Sequence, residues 1–208
     1  MTKSKFSRKI VKVALGLALS FIPIMLTQSC KEEQTLEKIE ADEMERDVKV
    51  DSLFYGIHFG MTMQDFYDHS YDMNQEGVFF QNNMNVEVII HYDDDFTAPV
   101  DFVFFPDTSY PTIQKIDGYM MFRQWAPFTK DYPASKLQGE LKEKMEEWYG
   151  GREFIKIPHP KGHWPYAYAK VDGNRKIVLY RSFDDQKVEV VFENLSTVGP
   201  DLKTVQRE

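Results

Sequence analysis

Two histidines four residues apart, His159 and His163, form the pair in this chain whose spacing best suits metal chemistry. Imidazole nitrogens are common zinc ligands, and a carboxylate from elsewhere in the fold would complete such a site. Pro158 and Pro160 flank the first histidine, so the segment is a loop and not a helix with both rings on one face. The pair therefore predicts either a metal site of a metal-dependent hydrolase or a loop whose histidines serve packing alone.

The sequence contains none of the common catalytic or nucleotide-binding motifs that we sought. The sequence has no Gly-x-Ser-x-Gly elbow, no phosphate-binding P-loop, no dinucleotide glycine fingerprint and no His-Glu-x-x-His. The run Asp93-Asp94-Asp95 offers oxygen ligands for calcium, but it lacks the spaced acids and the glycine of an EF-hand. We therefore expect a turn at this run, no cofactor and no enzymatic activity.

Aromatic residues make up 14% of the chain, which raises the alternative of a carbohydrate-binding surface. Most of them fall on the alternating or striped positions that a core requires. Trp125, Trp164 and Tyr110 lie at the edges of expected loops instead. Because an exposed aromatic ring can stack on an apolar ligand face, these three residues are the candidates for glycan contact.

The first 29 residues have the organisation of an export signal. Five basic residues and no acidic residue precede an apolar run from Val13 to Leu26. A basic start, a short apolar run and a small residue before the cut are typical of a signal peptide. The run is also shorter than the roughly 20 residues of a spanning helix. We therefore predict a signal peptide over residues 1–29, which ends just before Cys30.

Leu26, Ser29 and Cys30 resemble the lipobox of bacterial lipoproteins. In that family the cysteine becomes the N-terminus and carries the lipid, so the resemblance implies acyl (palmitate-type) attachment at Cys30. Two or more acyl chains hold a protein stably on a membrane, where one does not. A buried structural thiol and cleavage without lipidation are the alternatives for Cys30, the single cysteine of the chain.

The residues directly after Cys30 indicate to which membrane face the protein is exported. Lys31-Glu32-Glu33 resembles the lipoprotein export signal of Bacteroidetes, which directs lipoproteins to the outer face of the outer membrane. The resemblance implies a surface-facing outer-membrane lipoprotein, with a periplasm-facing lipoprotein as the alternative. The acidic segment 30–50 has no aromatic residue and few aliphatic ones. We therefore predict a spacer between the membrane and the folded body.

The charge of the chain excludes some partners. The sequence has 25 basic and 33 acidic residues, and five of the basic ones precede Val13. The remainder after residue 29 therefore has 20 basic against 33 acidic residues, a net charge of −13 with neutral histidines. A general nucleic-acid binder requires a basic stripe, so nucleic acid is excluded as a partner.

A modification site is indicated at the end of the predicted spacer. Asp51-Ser52-Leu53 resembles the O-glycosylation motif of Bacteroidetes, an acid, a hydroxyl residue and an aliphatic residue in sequence. The resemblance implies glycosylation of Ser52, and an ordinary turn before the first strand is the alternative.

Residues 53–125 follow the pattern of one helix and four strands. Thr62 with Asp65 three residues later has the form of a helix N-cap, and Gly77 that of a helix stop. Segments rich in β-branched and aromatic residues follow at 77–81, 85–92, 100–105 and 115–125, with a turn at Asn82-Asn83.

Residues 126–194 repeat that order. A helix is predicted from Pro133 to Gly150, with an apolar stripe of Leu137, Leu141, Met145 and Trp148. Strands are predicted at 153–157, 166–171, 176–181 and 187–192, with a hairpin turn at 172–174.

We therefore predict an α+β fold, in which two helices (about 62–76 and 133–149) pack on one face of a mainly antiparallel sheet. The two halves, 53–125 and 126–194, form a tandem α-β-β-β-β repeat within a single domain, 51–198, and 199–208 is a tail. The alternative is an α+β chain without internal repetition.

Short motifs agree with this architecture. Phe59-Gly60-Met61-Thr62 before an acidic and aromatic helix resembles small bacterial envelope lipoproteins. Their folds are related to the β-lactamase inhibitor protein and to the outer-membrane assembly lipoproteins. Trp125-Ala126-Pro127 and Glu147-Trp148-Tyr149-Gly150 resemble Bacteroidetes surface lipoproteins of this size. The resemblance implies a tandem helix-plus-sheet body and brings no activity with it.

The functional expectation follows from these observations. We expect a lipid-anchored outer-membrane lipoprotein that acts as a non-enzymatic binding or structural module. It would reach the membrane through the Cys30 lipid and bind a protein or a carbohydrate. The alternatives are a metal-dependent hydrolase that uses His159 and His163, and a surface glycan-binding protein.

Overall fold

The strands of the chain form one antiparallel sheet in the computed structural model, which describes residues 35–81, 87–126 and 131–197. The described elements are α1 (Leu36–Glu45), α2 (Met63–Gln75), β1 (Phe79–Gln81), β2 (Val88–Tyr92), β3 (Val100–Pro106), β4 (Lys115–Phe122), α3 (Ala134–Tyr149), β5 (Ile155–Ile157), β6 (Ala167–Asp172), β7 (Arg175–Arg181) and β8 (Val188–Asn194). The strands lie in the order β1-β2-β3-β4-β8-β7-β6-β5. The predicted α+β class is confirmed.

After α1, the order of elements is the same in the two halves of the chain, one helix followed by four strands. The halves meet where β4 pairs with β8, in a register that runs from Lys115↔Glu193 to Met120↔Val188. The first strand of each half, β1 or β5, therefore lies at an edge of the sheet. The predicted turn at Asn82-Asn83 and the start of the predicted second strand lie outside the described residues.

The helices α2 and α3 pack on one face of the sheet, and the main core lies between them and that face. Phe66 of α2 and Leu137 and Leu141 of α3 are at most 1% exposed. They meet inward-facing strand residues such as Phe104, because alternate residues of a strand point to opposite faces. Trp148, the last residue of the predicted stripe, lies at the margin and is 40% exposed.

Both predicted helices begin and end at the expected signals. The Thr62 hydroxyl oxygen accepts a hydrogen bond from the Asp65 N–H at 3.1 Å and donates one to Asp65 Oδ2 at 2.7 Å. Pro133 precedes α3 as its N-cap residue. The chain leaves the two helices at Gly77 and Gly150, both with positive φ, a conformation that favours glycine.

A third helix, α1, corrects the prediction of a spacer over residues 30–50. Residues 36–45 are helical, and Leu36 and Ile39 are only 8% and 4% exposed. They pack in a second core on the sheet face opposite α2 and α3, against Ala167, Ala169 and their neighbours on β5–β8. The short alanine side chains let a helix lie close to the strands. The folded body therefore begins before residue 51.

Two of the acidic residues of α1, Glu40 and Glu43, are buried and pair with cations, whereas the other acidic residues of this helix are exposed. Glu43 is 1% exposed and accepts hydrogen bonds from the Gly173 N–H at 2.9 Å, Arg152 Nε at 2.5 Å and Arg46 Nη1 at 2.7 Å. Burial raises the pKa of Glu43, but these hydrogen bonds lower it by more, so the pKa lies below its ordinary 4.5.

Glu40, one turn earlier, forms a second buried ion pair. Its Oε1 lies 3.2 Å from Lys176 Nζ, and the same ammonium pairs with Glu193 at 2.6 Å. Lys176 is only 3% exposed. The acidic composition of this segment predicted a solvated spacer. The sequence alone does not show that Lys176 and Arg152, more than a hundred residues away, pair with these acids in the fold.

Several predicted segments lie outside the described residues. These are the signal peptide 1–29, Cys30 with the following Lys31-Glu32-Glu33, and the tail 199–208. Within the described ranges, none of the helices has the length and apolar character that a membrane crossing requires.

Candidate functional site

One face of the sheet is covered only in part. Alternation along the strands places every second residue on the face opposite α2 and α3, and α1 covers this face at β5–β8. At β1–β4 the apolar residues of this face form a surface that we call the open sheet face. Its members are Phe80, Ile89, Val103, Phe105, Tyr119 and Met121.

The strand register makes this surface continuous. Phe80 lies opposite Ile89, Ile89 opposite Val103, and Val103 opposite Tyr119, so one apolar row crosses four strands. Directly opposed side chains on neighbouring strands lie about 5 Å apart and contact each other. Phe80 and Phe105 are 39% and 38% exposed, high values for phenylalanines on a sheet. Val103, in the middle of the row, is 6% exposed, so solvent reaches the apolar strip at Phe80 and reaches the same face beside the strip at Phe105.

Paired charges flank the strip near β2 and β3. Asp101 accepts hydrogen bonds from His91 Nδ1 at 2.7 Å and from Arg123 Nη2 at 2.7 Å. The same guanidinium reaches Asp93 at 3.0 Å. The ring of His91 also lies against Phe80, with centroids 4.4 Å apart. These ion pairs join the apolar strip to a polar margin.

A second pair flanks the strip at its other end. Lys187 Nζ lies 3.3 Å from Glu189 Oε1 and 4.0 Å from the centre of the Tyr119 ring. Lys115 and Asp117 pair at 3.0 Å on the same face. The open sheet face thus combines an apolar centre with a margin of paired charges of both signs.

The predicted metal-binding histidines do lie together, with ring centroids 5.9 Å apart. However, His159 is 6% exposed and its two ring nitrogens are both used. Nε2 donates to the Arg181 carbonyl oxygen at 2.9 Å, and Nδ1 accepts from the Lys161 N–H at 3.2 Å. Burial lowers the pKa of His159, and His163 and Arg181 lower it further, so the neutral ring is favoured.

This geometry does not suit a metal ligand. A neutral histidine whose two nitrogens are hydrogen-bonded has no lone pair left for an ion. His163 is exposed in the same loop, and its ring lies against Phe183. In the described part of the chain, no three His, Cys, Asp or Glu side chains are grouped as a metal would require.

The predicted aromatic candidates lie in three different loops. Tyr110 lies in the loop before β4 and Trp125 just after β4, at the two ends of one strand. At about 3.3 Å per residue, the eight residues of β4 span roughly 26 Å, so the two loops lie at opposite ends of the strand. Trp125 packs against the main core and is half-buried. These two residues therefore do not form one ligand surface.

Trp164 belongs to a separate cluster in the loop after β5. Its Nε1 donates to the Ser182 carbonyl oxygen at 2.9 Å, and the Arg181 guanidinium covers its ring at 3.9 Å. A ring that is already stacked on one side offers less surface for a sugar. Phe183, 77% exposed, is the most accessible aromatic ring of this cluster.

Ser52, the predicted glycosylation site, is exposed. Its segment is folded and not a linker, since Ser52 forms a β-bridge with His58 and its carbonyl accepts from Arg175 Nη1 at 2.8 Å. Cys30 lies outside the described residues, so its lipidation stays a prediction.

No family model, curated protein or solved structure matches the chain.

Sequence reasoning missed the open sheet face, although a signal was present. Adjacent large apolar residues at 79–80 and 104–105 place phenylalanine on both faces of β1 and β3. A strand with one solvated face shows alternation instead. The doubled phenylalanines indicate two apolar faces, but only the fold shows which face is left uncovered.

Proposed function

We propose that this chain is a lipid-anchored outer-membrane lipoprotein whose folded body binds a protein partner and catalyses no reaction. The observation that carries the binding role is the open sheet face, an apolar strip across β1–β4 with exposed Phe80 and Phe105. Contiguous exposed apolar surface with a polar margin is typical of an interaction site. The lipid anchor is supported by the leader and by the lipobox residues before Cys30.

A protein is the partner that this surface suits best. Its centre holds phenylalanine, tyrosine and methionine, which are enriched in the centres of protein interfaces. Its margin carries Asp101, Arg123, Lys187 and Glu189 in ion pairs, so it presents charges of both signs. A sheet surface without a deep cleft also favours a broad partner over a small molecule.

The anchor and the acidic residues next to it support display at the outer membrane. Acyl chains at Cys30 would hold the body by burial of their methylenes, about 0.8 kcal/mol each. Lys31-Glu32-Glu33 supports the outer face, and attachment facing the periplasm is the rival proposal. Protease treatment of intact cells distinguishes the two, because only a surface-facing body is cleaved.

The binding role is tested by capture from outer membranes with the lipidated full chain as bait. The test variant is Phe105→Asp with Met121→Asp, which places two charges on the open sheet face next to the apolar strip. The control is Phe183→Asp, which adds a charge to an exposed aromatic position in a different loop. We expect the wild type and the control to capture the same protein, and the test variant to lose it while keeping its thermal transition. Equal capture by the folded test variant would contradict the proposal.

A metal-dependent hydrolase is not favoured, because both ring nitrogens of His159 are hydrogen-bonded. Elemental analysis of the full chain tests this point independently. Stoichiometric metal that is lost on His159→Ala with His163→Ala would contradict a non-enzymatic role.

A further inference from the structure

A small cleft opens between α2 and the edge strand β1, away from the centre of the open sheet face. Its volume is about 200 Å³. Pockets for drug-sized ligands have volumes of about 300–1,000 Å³, so this cleft suits one ring-sized group. The described residues that line it belong to α2, to β1 and to the start of β2 with the preceding Glu87.

The helix supplies one wall of the cleft. Tyr67, Ser70, Tyr71 and Asn74 recur at i, i+3, i+4 and i+7, the spacing of residues on one face of a helix. The two tyrosine rings are nevertheless 50% and 65% exposed. Rings held in solvent beside a cleft contribute little to a core, so packing alone does not explain them.

The floor of the cleft is rigid. It consists of core residues, and Phe66 and Phe79 are each 1% exposed. The Asn74 side-chain amide donates to the Phe79 carbonyl oxygen at 2.7 Å, which fixes the end of α2 against β1. The cleft is thus formed before any ligand arrives, which reduces the entropy lost on binding.

One polar group in the cleft lacks a partner. The Ser70 hydroxyl oxygen is buried and makes no hydrogen bond among the described residues. Most buried polar atoms are hydrogen-bonded. Because Ser70 lines the cleft, rotation about its χ1 would turn the hydroxyl toward the cleft, where a ligand group can complete its hydrogen bonding.

The charge of the residues that line the cleft disfavours anionic ligands. Among the described lining residues, Glu87 is the acidic one and none is basic. Phosphates, carboxylates and nucleic acid would find no cation there. Aromatic rings beside hydroxyl and amide groups suit a neutral polyol, whose C–H face stacks on a ring while its hydroxyls hydrogen-bond.

We propose that the α2–β1 cleft binds one neutral pyranose unit of a glycan, stacked on Tyr67 or Tyr71 and hydrogen-bonded to Ser70. This site lies apart from Trp125, Trp164 and Tyr110, the aromatic residues that the sequence indicated for glycan contact. It also goes beyond the protein-binding role, with which it shares Phe80 alone among the named members of the open sheet face.

The proposal is tested with the full chain in detergent by saturation-transfer NMR. The probes are the methyl glycosides of glucose, galactose, mannose and N-acetylglucosamine, with glucuronate as the anionic comparison. We expect at least one neutral glycoside to bind, and glucuronate to bind more weakly. Tyr67→Ala with Tyr71→Ala should weaken binding about tenfold or more, because the stacking surface is removed.

Further variants separate this site from its neighbours. Ser70→Ala should weaken the same glycoside without loss of thermal stability, since its hydroxyl makes no hydrogen bond in the folded chain. Phe183→Ala and Phe105→Asp with Met121→Asp should leave glycoside binding unchanged. The proposal is overturned if no neutral glycoside binds, if the tyrosine variant binds as well as the wild type, or if Phe183→Ala abolishes binding.

Discussion

Glu43 in α1 accepts a hydrogen bond from Arg152 Nε at 2.5 Å, although 109 residues separate the two in the chain. The same carboxylate accepts from the Gly173 N–H in the turn between β6 and β7. Since Glu43 is 1% exposed, these bonds are shielded from water and fix α1 to the second half of the sheet.

Replacement of Glu43 should therefore destabilise the folded body. Glu43→Gln removes the charge that pairs with Arg152 and leaves donors of Gly173 and Arg152 poorly satisfied. Because Arg152 is partly exposed, we expect a loss of about 2–3 kcal/mol, below the largest values for broken buried pairs. Urea unfolding of the full chain measures it. The control Glu37→Gln changes an exposed acid of the same helix and should stay within about 0.5 kcal/mol of wild type. Equal effects of the two variants would contradict the buried pairing.

Much of the architecture could be predicted because its signals are local. Thr62, Gly77 and Gly150 mark helix ends through the conformations that their own backbones adopt. The β-branched and aromatic runs indicate each strand directly. α1 could not be predicted in this way. Its acidic composition is typical of a solvated segment, and its stability comes from Arg152, Lys176 and two alanines of β6 far along the chain.

The histidine loop and the open sheet face were harder to predict from the sequence, because they also depend on contacts between distant segments. The spacing of His159 and His163 correctly brings two rings together, but it does not show that the Arg181 carbonyl and the Lys161 N–H occupy the nitrogens. Similarly, the doubled phenylalanines of β1 and β3 indicate apolar faces on both sides. Which side is uncovered depends on where α1 packs.

The neutral state of His159 should make stability depend on pH. Its pKa is lowered from 6.5 in the folded chain, first by burial. Above that value both the folded and the unfolded states are neutral. Below it the unfolded chain binds a proton that the folded chain resists, so the free energy of unfolding falls as the pH falls. We expect this decline to begin as the pH falls through about 6.5, the ordinary value at which the unfolded chain takes up the proton.

The matched variants for this prediction lie in one loop. His159→Gln removes the titrating group and should flatten the decline of the unfolding free energy, whereas His163→Gln, at an exposed position, should keep it. Urea unfolding at several pH values measures both. An unchanged slope in His159→Gln would show that other groups control the pH dependence.

Replacement of two glycines by alanine should change the free energy of unfolding in opposite directions. A Cβ on Gly118 of β4 would lie 2.8 Å from the Phe102 ring and 2.8 Å from the Val103 carbonyl oxygen. Both neighbours lie in a packed sheet, so we expect Gly118→Ala to cost about 1–3 kcal/mol. A Cβ on Gly139 of α3 meets nothing within 4 Å. Gly139→Ala should therefore stabilise the protein by about 0.5–1 kcal/mol, because alanine favours a helix. Thermal unfolding checks both, and a neutral Gly118→Ala would contradict the close packing of β4 against β3.

Replacement of Cys30 tests the anchor. The apolar run ahead of it is too short to span a membrane, and the described residues contain no helix that could do so. If acyl chains on Cys30 hold the protein, Cys30→Ala should yield an unprocessed or released product, because two or more buried chains supply the membrane affinity. Fractionation after a high-salt wash, which removes proteins bound by charge alone, measures this. Ser29→Ala keeps a small residue before the cut and should remain anchored like the wild type. If the Cys30→Ala protein still cofractionates with outer membrane after the wash, lipidation is not what holds it there.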